Sequence, residues 1–216
     1  MKETMFDIIT NKDKLQQELS FYSLFLMTFE HFLSVWKETA LDFYANSIEK
    51  DEDGNYVKGF TKPVTRNGKT DFVRDQEKEK QFRNKVYQRI KKRDGNYDRK
   101  LSLFDWMVEM NAISPNDYNI LKKCYLKRNE YAHNIVGCLN RFVTAEEKDL
   151  LRALVNISIK ASQNWVSEVE IPTNPDETNK VFLDRDGNFT PPKPDEIITP
   201  INLFYSLVLS NLDNLL

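Results

Sequence analysis

Arg128, Asn129 and His133 fall within six consecutive positions of the stretch "KRNEYAHN" (127–134), and His133 is one of only two histidines among 216 residues. A neutral imidazole accepts a proton near pH 7 and its conjugate acid returns one, while a guanidinium sets a forked positive charge against a phosphate. Internal cleavage of RNA uses such groups: a base for the ribose 2′-hydroxyl, an acid for the departing 5′-oxygen and a cation for the charged phosphorane. One imidazole does not act as base and acid in the same in-line step. A chain with a single such histidine is therefore expected to pair with a second copy, so that Arg128 and His133 from both subunits share a two-fold site.

Helical periodicity sets how these residues can meet. Positions 129 and 133 are four apart and stack on one face, whereas Arg128 lies about 140° round the helix from His133. The guanidinium must curve across Asn129 or Ala132 to reach the same pocket, and the small Ala132 leaves room for something to approach. The same residue types also serve as plain helix-end groups, with Arg and Asn capping carbonyls and His favoured by the helix dipole.

The elements that would position the trio are marked by local signals. Ser114 reads as an N-cap with Pro115 at the first helical position and Asp117 at the third, so a helix starts there and carries the motif. Gly137 offers a stop, and Thr144 with Glu147 forms a capping box opening a helix over about 145–169. Upstream, no Gly or Pro interrupts residues 14–48, whose apolar positions cover most of a helix circumference. A second helix is expected over 71–93, with Phe82, Val86 and Ile90 as its buried stripe, and a short one over 101–113. The turn-rich segment 51–70 suggests a small hairpin or an ordered loop, and 182–190 suggests another hairpin. Asp-Gly-Asn occurs at 53–55, 94–96 and 186–188, each read as a turn because none completes a calcium-loop spacing. The chain closes on a helix capped by Thr199 and started by Pro200.

These elements predict an all-α fold, an up-and-down bundle of about five helices carrying small irregular or β-hairpin insertions. Residues 1–169 form the bundle, with 51–70 as an insertion; 170–216 form an irregular arm and a C-terminal helix that packs on the bundle or on a dimer partner.

Bulk composition narrows the partners. The net charge of −2 gives no global field for a polyanion, yet residues 74–100 hold eleven Lys or Arg against five acids. Arg83, Lys85, Arg89, Lys92 and Arg93, interleaved with Tyr87 and Tyr97, read as an RNA-tracking surface with stacking platforms; a solvated helix face is the alternative. Cys124 and Cys138 read as buried apolar residues rather than a disulfide. The apolar run 19–36 contains Glu30 and His31 and reads as a buried helix, not a membrane span, with His31 a core or interface residue. With no signal-peptide pattern at its start, the chain reads as cytoplasmic.

The motif "RNEYAH" resembles the R-(N/D/H)-x-x-x-H signature of the HEPN superfamily of helical-bundle ribonucleases and toxins, and the resemblance covers about residues 14–169. It implies a homodimer with a composite interface site that cuts RNA without a metal or other cofactor, Arg128 and His133 being catalytic and Asn129 orienting the histidine or contacting phosphate. It also implies a toxin–antitoxin, abortive-infection or phage-defence setting, with an antitoxin or operon partner. Some HEPN domains are instead non-catalytic modules that bind RNA or a partner protein through the same pocket. One branch carries a tyrosine two residues after the histidine that its antitoxin nucleotidylates; here that place is Ile135, and nothing in the sequence makes Tyr131 its replacement.

Overall fold

The structure, a computed structural model, describes residues 11–45, 59–66, 68–139, 141–173 and 192–215. The fold is all-α with, among the described residues, one small antiparallel hairpin. Its contacts divide the chain into two compact units: a bundle unit made of residues up to His31 and from Met107 onward, and a hairpin unit made of Phe32–Trp106.

Helix α1 spans Lys12–Ala45. Asn11 starts it by accepting the Lys14 amide on its side chain at 3.2 Å. In the bundle unit its inner face presents Phe21, Tyr22, Phe25 and Phe29, all buried, to helix α4 (Pro115–His133). The rings of Phe25 and Tyr131 meet edge to face at 5.1 Å, and Phe29 stacks on Tyr125 at 6.4 Å. Each fully buried side chain of this size contributes about 1.5–3 kcal/mol through burial. Helix α4 starts as its sequence dictates: Ser114 and Asp117 exchange both bonds of a capping box behind Pro115. Thr144 and Glu147 do the same at the start of α6 (Ala145–Trp165), which runs on as a π-helical stretch over Val166–Glu170.

Between them, α4 ends at His133, four residues before the glycine expected to stop it. Asn134 leaves helical geometry at φ −142°, donates its amide to the Glu130 carbonyl at 2.8 Å, and opens the five-residue helix α5 (Ile135–Leu139) by accepting the Gly137 amide at 3.2 Å. Gly137 therefore lies inside a helix rather than after one. Helix α7 (Pro200–Leu215) packs on α6, joined by Ser162 donating to the Asn202 side chain at 2.6 Å, with Thr199 capping as expected.

In the hairpin unit, β1 (Thr61–Arg66) pairs with β2 (Lys69–Arg74) from Thr61↔Arg74 to Arg66↔Lys69, Gly68 taking φ 79° at the tight connection. Strand β2 takes residues 69–74, so the helix expected over 71–93 is shorter: α2 spans Gln76–Phe82, capped by Asp75, and passes into a π-helical turn over Arg83–Tyr87. The π turn adds a residue to the repeat and breaks the four-residue stripe. Phe82 and Val86 are buried, while Ile90, beyond the turn, is half-buried. Helix α3 (Arg99–Glu109) follows, its first amides held by Asp98. Residues 51–58 of the first turn-rich segment and the hairpin expected over 182–190 lie outside the described residues. Among the described residues no helix is long and apolar enough to cross a membrane.

Candidate functional site

The last two turns of α4 carry two different surfaces. Tyr131 turns inward, is 1 % exposed, and donates its hydroxyl to Glu147 Oε1 at 2.9 Å. Glu147 is itself buried and gathers Arg141 at 2.6 Å, Lys127 at 3.1 Å and the Thr144 amide at 2.9 Å. Burial alone would raise its carboxyl, but bonds from Arg141, the Thr144 amide, Tyr131 and Lys127 outweigh it and hold the group far below the usual carboxylate range. Burial, together with the negative partner, pushes the Tyr131 phenol well above its ordinary value. Tyr131 is thus a core residue and is closed to modification. Glu130 closes the network on the surface side, accepting from Lys127 at 2.8 Å and Arg141 at 3.0 Å.

The candidate trio lies on the other side. Arg128 reaches Glu30 of α1 with Nε at 2.6 Å and Nη2 at 2.5 Å, and donates Nη1 to the Asn129 side-chain oxygen at 3.3 Å. Its charge is therefore balanced by a carboxylate, and part of its donor fork is occupied. By sequence Glu30, on the same helix as His31, is able to partner a basic residue of the site although spacing along α1 does not demand it; that residue is Arg128. His133 is exposed at the final helical position of α4. It shares one face with Asn129 and Leu126, at helical intervals of four and seven, and Leu126 is 61 % exposed. The single chain thus links Arg128 to Asn129 directly and leaves His133 open to solvent beyond them.

His31 is not part of this site. It packs on Phe204 at 4.5 Å and bonds the Tyr205 hydroxyl at 3.1 Å, joining α1 to α7. Cys124 and Cys138 are free and buried, burial pushing the Cys124 thiol up to about 12.

The basic stretch belongs to the hairpin unit and is spread over β2, α2, the π turn and the approach to α3 rather than along one helix. Arg83 pairs with Glu79 at 2.5 Å, and Arg89 with Asp105 at 2.6 Å; Lys85, Lys92 and Arg93 are exposed. Sequence reading missed the Lys127–Glu130–Arg141–Glu147 network. Its one legible part was the Thr144–Glu147 capping box, which showed the carboxylate's role at the helix start but not its long-range partners.

No family model matches the chain, and no curated protein and no solved structure matches it.

Proposed function

We propose that the protein is a metal-independent endoribonuclease of HEPN type, acting as a cytoplasmic homodimer in which Arg128 and His133 of two copies share one cleft. The observation that carries this reading is the open face of α4, where solvent-exposed His133 lies in line with Asn129 and an exposed Leu126 while Arg128 holds the adjoining edge. An apolar Leu126 beside polar, proton-carrying groups suits a two-fold contact that encloses the imidazoles. In the reaction one imidazole removes the 2′-hydroxyl proton, the 2′-oxygen attacks phosphorus, and the second imidazole protonates the departing 5′-oxygen. The products are a 2′,3′-cyclic phosphate and a 5′-hydroxyl. Arg128 stabilises the charge gathered on the phosphorane. Defence or growth arrest, with an antitoxin partner, is the cellular setting the motif's resemblance suggests.

The pairing of Arg128 with Glu30 favours a second reading, a non-catalytic module that binds RNA or a protein through the same face. One assay separates them. Purified protein is incubated with structured and single-stranded RNA in chelator, and fragments are examined for 2′,3′-cyclic ends. Cleavage lost in His133→Ala supports the enzyme; identical behaviour of the two proteins removes it.

A further inference from the structure

Two adjoining hollows open on the hairpin unit. The larger, a cleft of about 630 Å³, has an apolar floor of Phe60, Phe82 and Tyr87 and a rim that includes Gln88, Asn96 and Tyr97. The smaller, about 500 Å³, is lined by Arg74, Lys80 and Arg83 around Glu79. Glu79, Arg83 and Gln88 belong to both, so the aromatic cleft and the cationic hollow share a wall.

Local sequence builds this arrangement. The floor rings contact one another, Phe82 lying 5.2 Å from Phe60 and 5.1 Å from Tyr87. The π turn places Arg83 and Tyr87 on the cleft together, and such turns recur at functional sites. On the far rim, Asp94-Gly95-Asn96 forms a tight turn. Asp94 accepts the Asn96 amide at 3.0 Å, and Gly95 takes φ 84°, which a side chain would strain. The Lys92 amide bonds the Asn96 carbonyl at 2.7 Å and the Asp98 amide the Ile90 carbonyl at 2.8 Å. The turn thereby fixes Tyr97 with one ring face covered by Lys91, whose Nζ lies 5.6 Å from the ring centre. Glu79 holds Arg74 through Oε2 and Arg83 through Oε1, both guanidiniums remaining mostly exposed at 69 % and 61 %. With Lys80, three cations face one carboxylate.

An aromatic cleft with amide groups on its rim suits an unpaired nucleobase, which has faces to stack and edges to hydrogen-bond. A neighbouring hollow with net positive charge and forked donors suits the phosphate attached to that base. We infer that the hairpin unit binds single-stranded nucleic acid, seating one unpaired base in the Tyr87–Tyr97 cleft and its phosphate on Arg83, Arg74 and Lys80. Arg99 adds a second cation at the cleft. This goes beyond the proposed cleavage and does not depend on it, since none of its groups belongs to the Arg128–His133 site.

The test measures fluorescence anisotropy of a labelled mixed-sequence RNA hexamer, the matching DNA hexamer and the RNA duplex, with inorganic phosphate as competitor. All proteins carry His133→Ala, so that cleavage does not interfere and failure of the nuclease reading leaves the binding result intact. Single strands are expected to bind and the duplex to bind at least tenfold more weakly; whichever single strand binds tighter names the source of the base. Tyr97→Ala, at an exposed position that leaves folding intact, is expected to weaken binding about five- to 150-fold, the range for losing one stacked base. Arg83→Gln is expected to weaken binding and to lower the slope of log affinity against log salt by about one. Unchanged affinity in Tyr97→Ala, equal binding of the duplex, or displacement by millimolar phosphate alone would each overturn the proposal.

Discussion

The inner and outer sides of α4 lie within one six-residue stretch and are built on opposite terms. Inward, Tyr131 is locked in the core and bonded to a carboxylate that is itself held by Arg141, Lys127 and a capping box. Outward, His133 is exposed, and Arg128 meets Glu30 in a pair whose side chains are 22 % and 44 % exposed. The contrast teaches that a motif can spend its middle residue on rigidity so that its ends sit on a fixed frame. A group that must gain and lose protons needs solvent access, while the helix that aims it needs satisfied, buried partners.

Mutation can sharpen or break that contrast. The largest effect is expected on the outer side. His133→Ala should lower RNA cleavage by about 10²–10⁴-fold, the usual contribution of a general acid or base, and move the unfolding midpoint little because the residue is exposed. On the inner side the effects reverse. Glu147→Ala should cost about 3 kcal/mol in denaturant unfolding, at the low end for a buried ion pair because Arg141 and Lys127 each keep about a third of their surface in water and rehydrate. The same carboxylate sets an acid dependence. Its folded value lies below its ordinary 4.5, so its contribution is complete above that pH and is lost as pH falls through the folded value. Urea titrations from pH 6 downward should show wild type losing stability that Glu147→Ala never had. Tyr131→Phe, which removes one bond to a charged acceptor and keeps the ring, should cost about 1.5 kcal/mol. The smallest effect is Glu30→Gln: less than about 1 kcal/mol in stability, with RNA affinity rising about fivefold or less as Arg128 is freed from its counter-charge. An inner-side variant that abolished cleavage without lowering stability would erase the distinction.

Much of the frame was legible because the signals are local. Ser114, Thr144 and Thr199 cap where their side-chain chemistry demands, since a hydroxyl two or three residues before an amide needs no distant partner. Residues 71–74 were misread as helix because their pairing with Thr61–Arg66 is an exchange between strands, not a periodicity within one. The π turn after Phe82 was hidden for a related reason: an apolar stripe four residues apart reads the same until the backbone inserts its extra residue. At the site, Arg128, Asn129 and His133 were visible by type, while the Glu30 pairing needed α1 and α4 brought together and the cleft needed Phe60 brought to Tyr87.

Gly137 shows how closely a short helix can depend on the absence of a side chain. A methyl added there would collide with the Asn134 carboxamide, which bonds the Gly137 amide and sits immediately after His133. Pushing that carboxamide aside would break its bond to the Gly137 amide and leave the first turn of α5 without its cap. An alanine at 137 would thus loosen the start of α5, and with only a hydrogen atom there the Asn134 cap keeps its room.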